Sequence, residues 1–163
     1  MSASTTSPEV QKKRLLRLTI AHYRNENCSE KDMYEWGTKE HAVHAAAVHA
    51  RHGIEGYAVH WSPSSFRTAA KTLNASLGDR WVVRDQDMWV EFWFRDMEQL
   101  SATAQDPDFQ KLQAAEGPYA SKIHVEASLG WVEQYVADGK VVNVTADGKP
   151  DFLSFEEMSA PPL

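Results

Sequence analysis

The chain switches between two hydrophobic periods. "LLRLTIAHY" (15–23) steps by two. Leu16, Leu18, Ile20 and His22 form one face and Arg17, Thr19, Ala21 and Tyr23 the other, which predicts a first strand. Ser29, followed by the acids Glu30 and Asp32, is an N-cap signature, and Gly53 stands at a C-cap position, so 30–52 is predicted as one long helix. "IEGYAVHW" (54–61) alternates again. "DMWVEFWF" (87–94) is so aromatic and β-branched that it reads as a strand buried on both faces. Residues 62–80 read as a short capped helix and loop, 96–117 as helix interrupted at Pro107, and 121–136 as a last long strand. After Val144, turn residues and prolines replace periodicity. The reading is therefore a flexible N-terminus (1–13), a folded unit (14–144) and a tail (145–163) that is loose or laid over a neighbour.

The order β-α-β-β-α-β is the split βαβ motif, an α+β, ferredoxin-like arrangement in one domain. Such a sheet has helices on one side only. Trp89 and Trp93 lie opposite in phase to Met88, Val90, Phe92 and Phe94, so both faces of the sheet carry bulk that needs cover. A second copy laid sheet to sheet is the economical cover, which predicts a homodimer closed as a dimeric α+β barrel.

Composition narrows the function. The 163 residues are 42% hydrophobic, with a formal charge of -6. The only basic run is "QKKRLLR", so a nucleic-acid partner is not expected. No apolar stretch approaches membrane-span length, so no membrane partner is expected either. The single cysteine, Cys28, admits no internal disulfide and fits a cytoplasmic location.

The chemistry concentrates in "EHAVHAAAVHARHG" (40–53), which holds four of the seven histidines. Histidine both gives and takes protons near neutrality. On a uniform helix at about 100° per residue, Trp36, Val43 and Ala47 gather on one stripe, His44 borders it, His41 lies one step further round, and His49 points about 140° away from His44. This predicts His44 turned toward the sheet, His41 intermediate between the sheet and solvent, and His49 toward solvent. The alanines between them leave room for a ring system. The i, i+3 histidine pairs lack the spacing of a zinc helix and no cysteine joins them, so no metal is expected. His22, His60 and His124 sit on strands whose absolute facing the sequence leaves open. Asp87 opens the third strand, where a carboxylate beside a histidine would hold its tautomer.

Taken in order, "RLLRLTIAHYRNENCSEKDM", "EHAVHA" followed by "HGI", "RDQD", "DPDFQKL" and "GWVEQYV" resemble the EthD-domain proteins of fungal polyketide pathways, members of the dimeric α+β barrel superfamily. The likeness runs from Arg14 to Val142. It departs at "AAEGPYAS", where the family often carries an Asp-His-Glu-like cluster. The resemblance implies a homodimer, a pocket between sheet and helices in each subunit, no metal or organic cofactor, and lyase or cyclase chemistry on small aromatic polyketides, such as decarboxylation or dehydration.

The parts that fit this chemistry are His41, His44 and His124 as an acid–base set with Asp87 as orienter. Tyr23, Trp36, Val48, His60, Trp61, Phe92 and Tyr119 are the expected substrate contacts. Three other readings remain open at this level: a cofactor-free oxygenase on an anthrone-like phenol, a non-catalytic small-ligand barrel, and a haem-bound barrel.

Overall fold

The structure is a computed structural model that describes residues 13–160, apart from the side chain of His124. The expected N-terminal arm thus lies almost entirely outside the described residues. Four strands make the main sheet: β1 (Leu15–Arg24), β2 (Gly56–Trp61), β3 (Met88–Phe94) and β4 (Ala120–Val132). Their spatial order is β2-β3-β1-β4 and every pairing is antiparallel, as the ferredoxin-like reading requires.

Register explains which residues share a face. Leu18 lies opposite Phe92 and His22 opposite Met88, while Tyr57 and Trp61 on β2 lie opposite the same two β3 residues. This face carries the core of Leu16, Cys28, Met33, Ile54, Met88, Val90, Phe92, Phe94 and Ala120. The opposite face is mixed rather than apolar throughout. Trp89 stacks on His60 with centroids 5.3 Å apart, and Arg17 faces Glu91 at 3.8 Å. Trp93 lies so close to Gly56 that a Cβ there would meet its ring at 2.7 Å, so only glycine fits that register position.

The predicted long helix is three pieces: α1 (Glu30–Trp36), a π-helical turn (Gly37–His41) and α2 (Ala42–Arg51). In the π-turn the Ala42 amide donates to the Gly37 carbonyl five residues back. That wider turn holds one residue more than an α-turn, so every later side chain is rotated by about 100° from its place on a uniform helix. The angular expectation fails for this reason. Val43 is 61% exposed and His44 is exposed, whereas Ala45, Val48 and His49 are buried. His44 therefore does not face the sheet, and its Nδ1 donates to the Glu40 carbonyl at 2.6 Å.

α3 (Ser64–Ser76) follows β2. The helical stretch after β3 divides at Pro107 into α4 (Met97–Gln105) and α5 (Pro107–Ala115), with Asp106 capping α5 through the Asp108 amide. Beyond β4 the chain is built rather than loose. β5 (Val136–Ala137) and β6 (Lys140–Val141) form a hairpin whose two turn residues, Asp138 and Gly139, both have positive φ. The short α6 (Phe155–Met158) lies against Trp131, and the buried Arg14 donates to the carbonyls of Met158 and Ala160 at 3.1 and 2.6 Å. The tail thus packs on its own chain.

His49 is the clearest consequence of the shifted phase. It is 2% exposed, wedged among Tyr57, Phe92 and Phe109, and neither ring nitrogen has a hydrogen-bond partner among the described residues. Burial, with His41 and His52 nearby, pushes its pKa down to about 4. The unfolded chain takes up a proton below about 6.5 while the fold refuses one until about 4, so this residue costs stability as pH falls through that window. His49→Leu is expected to stabilise the protein, and by roughly 2 kcal/mol more at pH 5 than at pH 8. Urea unfolding at the two pH values measures this; an equal gain at both would show an imidazole that titrates normally.

Candidate active site

A small cavity lies between the helices and one end of the sheet. Its walls include His22 of β1, Trp36, Gly37 and His41 around the π-turn, Tyr57 of β2, and Glu116 after α5. Its volume is about 30 Å³, the room of a water or two. Each polar group reaches it for a local reason. His22 ends the inward series Leu16, Leu18, Ile20. His41 closes the π-turn, and its ring tilts against Trp36 at 4.9 Å. Trp36 in turn stacks flat on Tyr119, 4.6 Å between centroids and 4° between planes.

Glu116 caps the C-terminus of α5, and its backbone is pinned. Its amide donates to the Gln113 carbonyl, and its own carbonyl accepts from the amides of Tyr119 and Ala120, each at 2.9 Å. Asn25, just past β1, ties the same turn down through the Tyr119 and Gly117 carbonyls. From this anchored backbone the carboxyl reaches the cavity, with Oε1 3.6 Å from His41 Nε2.

The electrostatics of this pair run against an ion pair. Burial pushes the Glu116 carboxyl up to about 7, with Lys122 opposing weakly. Burial, then His22 and His44, hold the His41 imidazole below its ordinary value, and burial alone does the same to His22. Tyr57 is pushed up to about 12 by burial and by Glu116. Glu116 therefore holds its proton up to about pH 7, while His41 gives up its proton below the ordinary imidazole value, so at mildly acidic pH a carboxylic acid faces a neutral imidazole. His41 Nδ1 is buried and has no hydrogen-bond partner among the described residues.

The expected site residues disperse. His41 and Trp36 line the cavity. His44 and Val48 belong instead to an outer groove between α2 and α5. His60 is on the opposite face of the sheet, stacked on Trp89. Tyr23 follows His22 on β1 beyond a register shift, opposite Ser121. Phe92 is core, 6% exposed. Tyr119 backs Trp36. His124 is on β4, and its side chain lies outside the described residues. Asp87 orients no histidine: its carboxylate accepts from the Arg24 amide at 3.0 Å and from Arg67 Nη1 at 3.1 Å, and it joins β1 to α3 as a structural clamp. Of the remaining helix histidines, His52 bonds Asp106 at 2.7 Å.

Glu116, Tyr57 and His22 enter the site without having been in the expected set. The strand phase put His22 on one face with Leu16, Leu18 and Ile20 but left open which way that face turns. For Glu116 the available signal is electrostatic: an acid in the last turn of a helix opposes the macrodipole, an arrangement that favours its neutral form. Among the described residues, no three histidine, cysteine, aspartate or glutamate side chains gather as a metal-ligand group.

Comparison with known proteins places this geometry in a family. The profile of the EthD domain matches residues 25–123. A putative oxygenase of Aspergillus terreus is 45% identical over 145 residues, covering 87% of this chain and 91% of that one. The conidial pigment biosynthesis dehydratase EthD of Metarhizium robertsii is 30% identical, covering 86% and 96%. The decarboxylase nsrE of Aspergillus novofumigatus is 28% identical, covering 86% and 97%. Among solved structures, a dimeric ferredoxin-like protein of unknown function from Thermobifida fusca superposes with a TM-score of 0.50 at 11% identity, covering 74% of this chain and 93% of that one. That likeness supports the fold. With the domain match spanning more than half of the sequence and relatives aligned over most of it, the chain belongs to the EthD domain family.

Proposed function

We propose that this protein is a cofactor-independent lyase that decarboxylates or dehydrates an aromatic polyketide by proton transfer between Glu116 and His41. The observation that carries the reading is the largely buried carboxyl–imidazole pair at 3.6 Å, in which burial raises the acid and lowers the base so that both are in the form that catalysis needs at mildly acidic pH. The decarboxylase and dehydratase names of relatives that align over most of this chain support the reaction class.

In a decarboxylation, protonated Glu116 delivers its proton to the ring carbon that bears the carboxylate. The C–C bond then breaks, and its electron pair restores the aromatic ring as CO₂ leaves. In a dehydration, neutral His41 removes the proton next to a carbonyl and Glu116 protonates the departing hydroxyl, which leaves as water. His22 and Tyr57 supply further hydrogen-bonding groups on the cavity wall. His44 has no part in this scheme, because it faces away from the cavity.

A second reading is favoured by the 45% identical relative named a putative oxygenase. Here His41 takes a phenolic proton and the phenolate itself reduces dioxygen. Turnover under strict anaerobiosis separates the two, since only the lyase persists.

The same proposal includes a cytoplasmic homodimer. The tryptophan-bearing sheet face supports the dimer, and so does a solved fold relative described as dimeric. Sedimentation at micromolar concentration should give twice the 18.4 kDa chain; a soluble monomer would refute the closed barrel.

His41→Gln and Glu116→Gln should each lower kcat by about 10²–10⁴-fold with melting unchanged, and His44→Ala should leave kcat near wild type. The pH dependence of kcat/KM follows from the signs of the shifts. The rate requires neutral His41, so it rises as pH passes a value below the ordinary 6.5. It requires protonated Glu116, so it falls as pH rises through about 7. A mildly acidic bell is expected, and a profile still climbing at pH 8.5 would contradict the assignment of Glu116 as the acid.

A further inference from the structure

The cavity that holds His41 and Glu116 has room for a water or two, far less than an aromatic nucleus needs. A larger space lies immediately outside it, between α1 and the start of α3. This groove measures about 450 Å³, within the range of small-molecule sites, and its walls include Tyr34, Trp61, Pro63, Phe66, Lys31 and Asp87. Trp61 links the two spaces. The Trp61 indole lines the groove, while its far edge rests on Gly37, which lines the cavity: a Cβ on Gly37 would meet Trp61 Cη2 at 2.6 Å and Cζ2 at 2.8 Å. Tyr34 holds the indole edge-on at 5.3 Å.

Charge at the groove is selective. Glu30 accepts from the Ser64 amide and hydroxyl and pairs with Arg67 at 3.0 Å. Asp87 is held by Arg67 and Arg24. Both carboxylates are therefore compensated. Lys31 on the groove wall makes no ion pair among the described residues. Apolar and aromatic walls with one uncompensated cation suit a flat aromatic body with an anionic edge.

We infer that this outer groove binds the planar body of an aromatic hydroxy acid, and that Trp61, seated on Gly37, is the movable partition that admits the reacting edge to the His41–Glu116 cavity. The inference rests on the lyase reading for what happens inside the cavity, but it makes its own claim about where the body of the substrate lies. Phe66, 70% exposed at the rim, has its ring free to cover such a ligand.

The test uses the full chain and 1-hydroxy-2-naphthoic acid, a fluorescent planar hydroxy acid, followed by stopped-flow and equilibrium fluorescence. Wild type should bind it, and Tyr34→Ala and Phe66→Ala should each weaken binding by about fivefold or more. Lys31→Ala should weaken this acid but not 1-naphthol, which lacks the carboxylate. Gly37→Ala keeps helical backbone geometry while its methyl pushes the indole aside, so it should raise the association rate; Trp61→Ala removes the partition outright and should do the same if Gly37→Ala folds poorly. Absence of binding, or an affinity indifferent to Tyr34 and Phe66, overturns the groove. Binding that responds to these variants in a protein that releases no CO₂ and no water from any aromatic acid supports the groove and refutes the lyase reading instead. Turnover with KM unmoved by Tyr34→Ala and Phe66→Ala does the reverse.

Discussion

One extra residue in a helix sets which of its side chains reach the site and the core. The π-turn at Gly37–His41 brings Trp36 inward before it and His49 inward after it, and leaves His41 at the cavity edge. On a uniform α-helix those three would not share a side. The same turn presents Gly37, the only residue small enough to let the Trp61 indole lie against the helix. A wide turn is a weaker hydrogen-bonding arrangement than the α-turn it replaces, so its presence between two well-formed helices requires compensation. The Trp36–Tyr119 stack and the packing of His49 on Phe92 supply it.

Burial then does the chemical work. Glu116 is held by backbone bonds at the end of α5, where the helix dipole disfavours its charge, and the cavity around it is small. Desolvation moves acid and base in opposite senses, which makes a proton donor of the carboxyl and an acceptor of the imidazole. The ionic groups of the neighbourhood are kept outside this cavity: Asp87, Glu30, Arg24 and Arg67 neutralise one another along the groove. Inside, the neutral forms persist.

How much the sequence discloses follows from how errors accumulate along each element. Strand phase repeats every two residues, so Leu16 to His22 and Met88 to Phe94 fall on the faces their alternation implies, and the four-strand order follows from the succession of elements. Helix phase accumulates: a single inserted residue, marked in the sequence only by the lone Gly37, exchanges the roles of His44 and His49. Absolute facing is equally hidden, which is why His22 and His60 read alike in sequence yet lie on opposite faces of the sheet. Asp87 was sought as a partner for histidine because it opens a strand, but the arginines that claim it come from β1 and α3, contacts that no local pattern contains. Glu116 pairs with His41 across 75 positions in sequence, and only the folded chain brings them together.

In the folded, ligand-free protein Glu116 holds its proton well past the range of an ordinary carboxyl, up to about pH 7. A ¹³C-detected titration of its side-chain carboxyl, assigned by comparison with Glu116→Gln, measures this without substrate or turnover. The account predicts a midpoint about 7, well above the ordinary glutamate range. A midpoint near 4.3, the value of a solvated glutamate, would mean that the carboxylate is charged beside His41 and has no proton to donate.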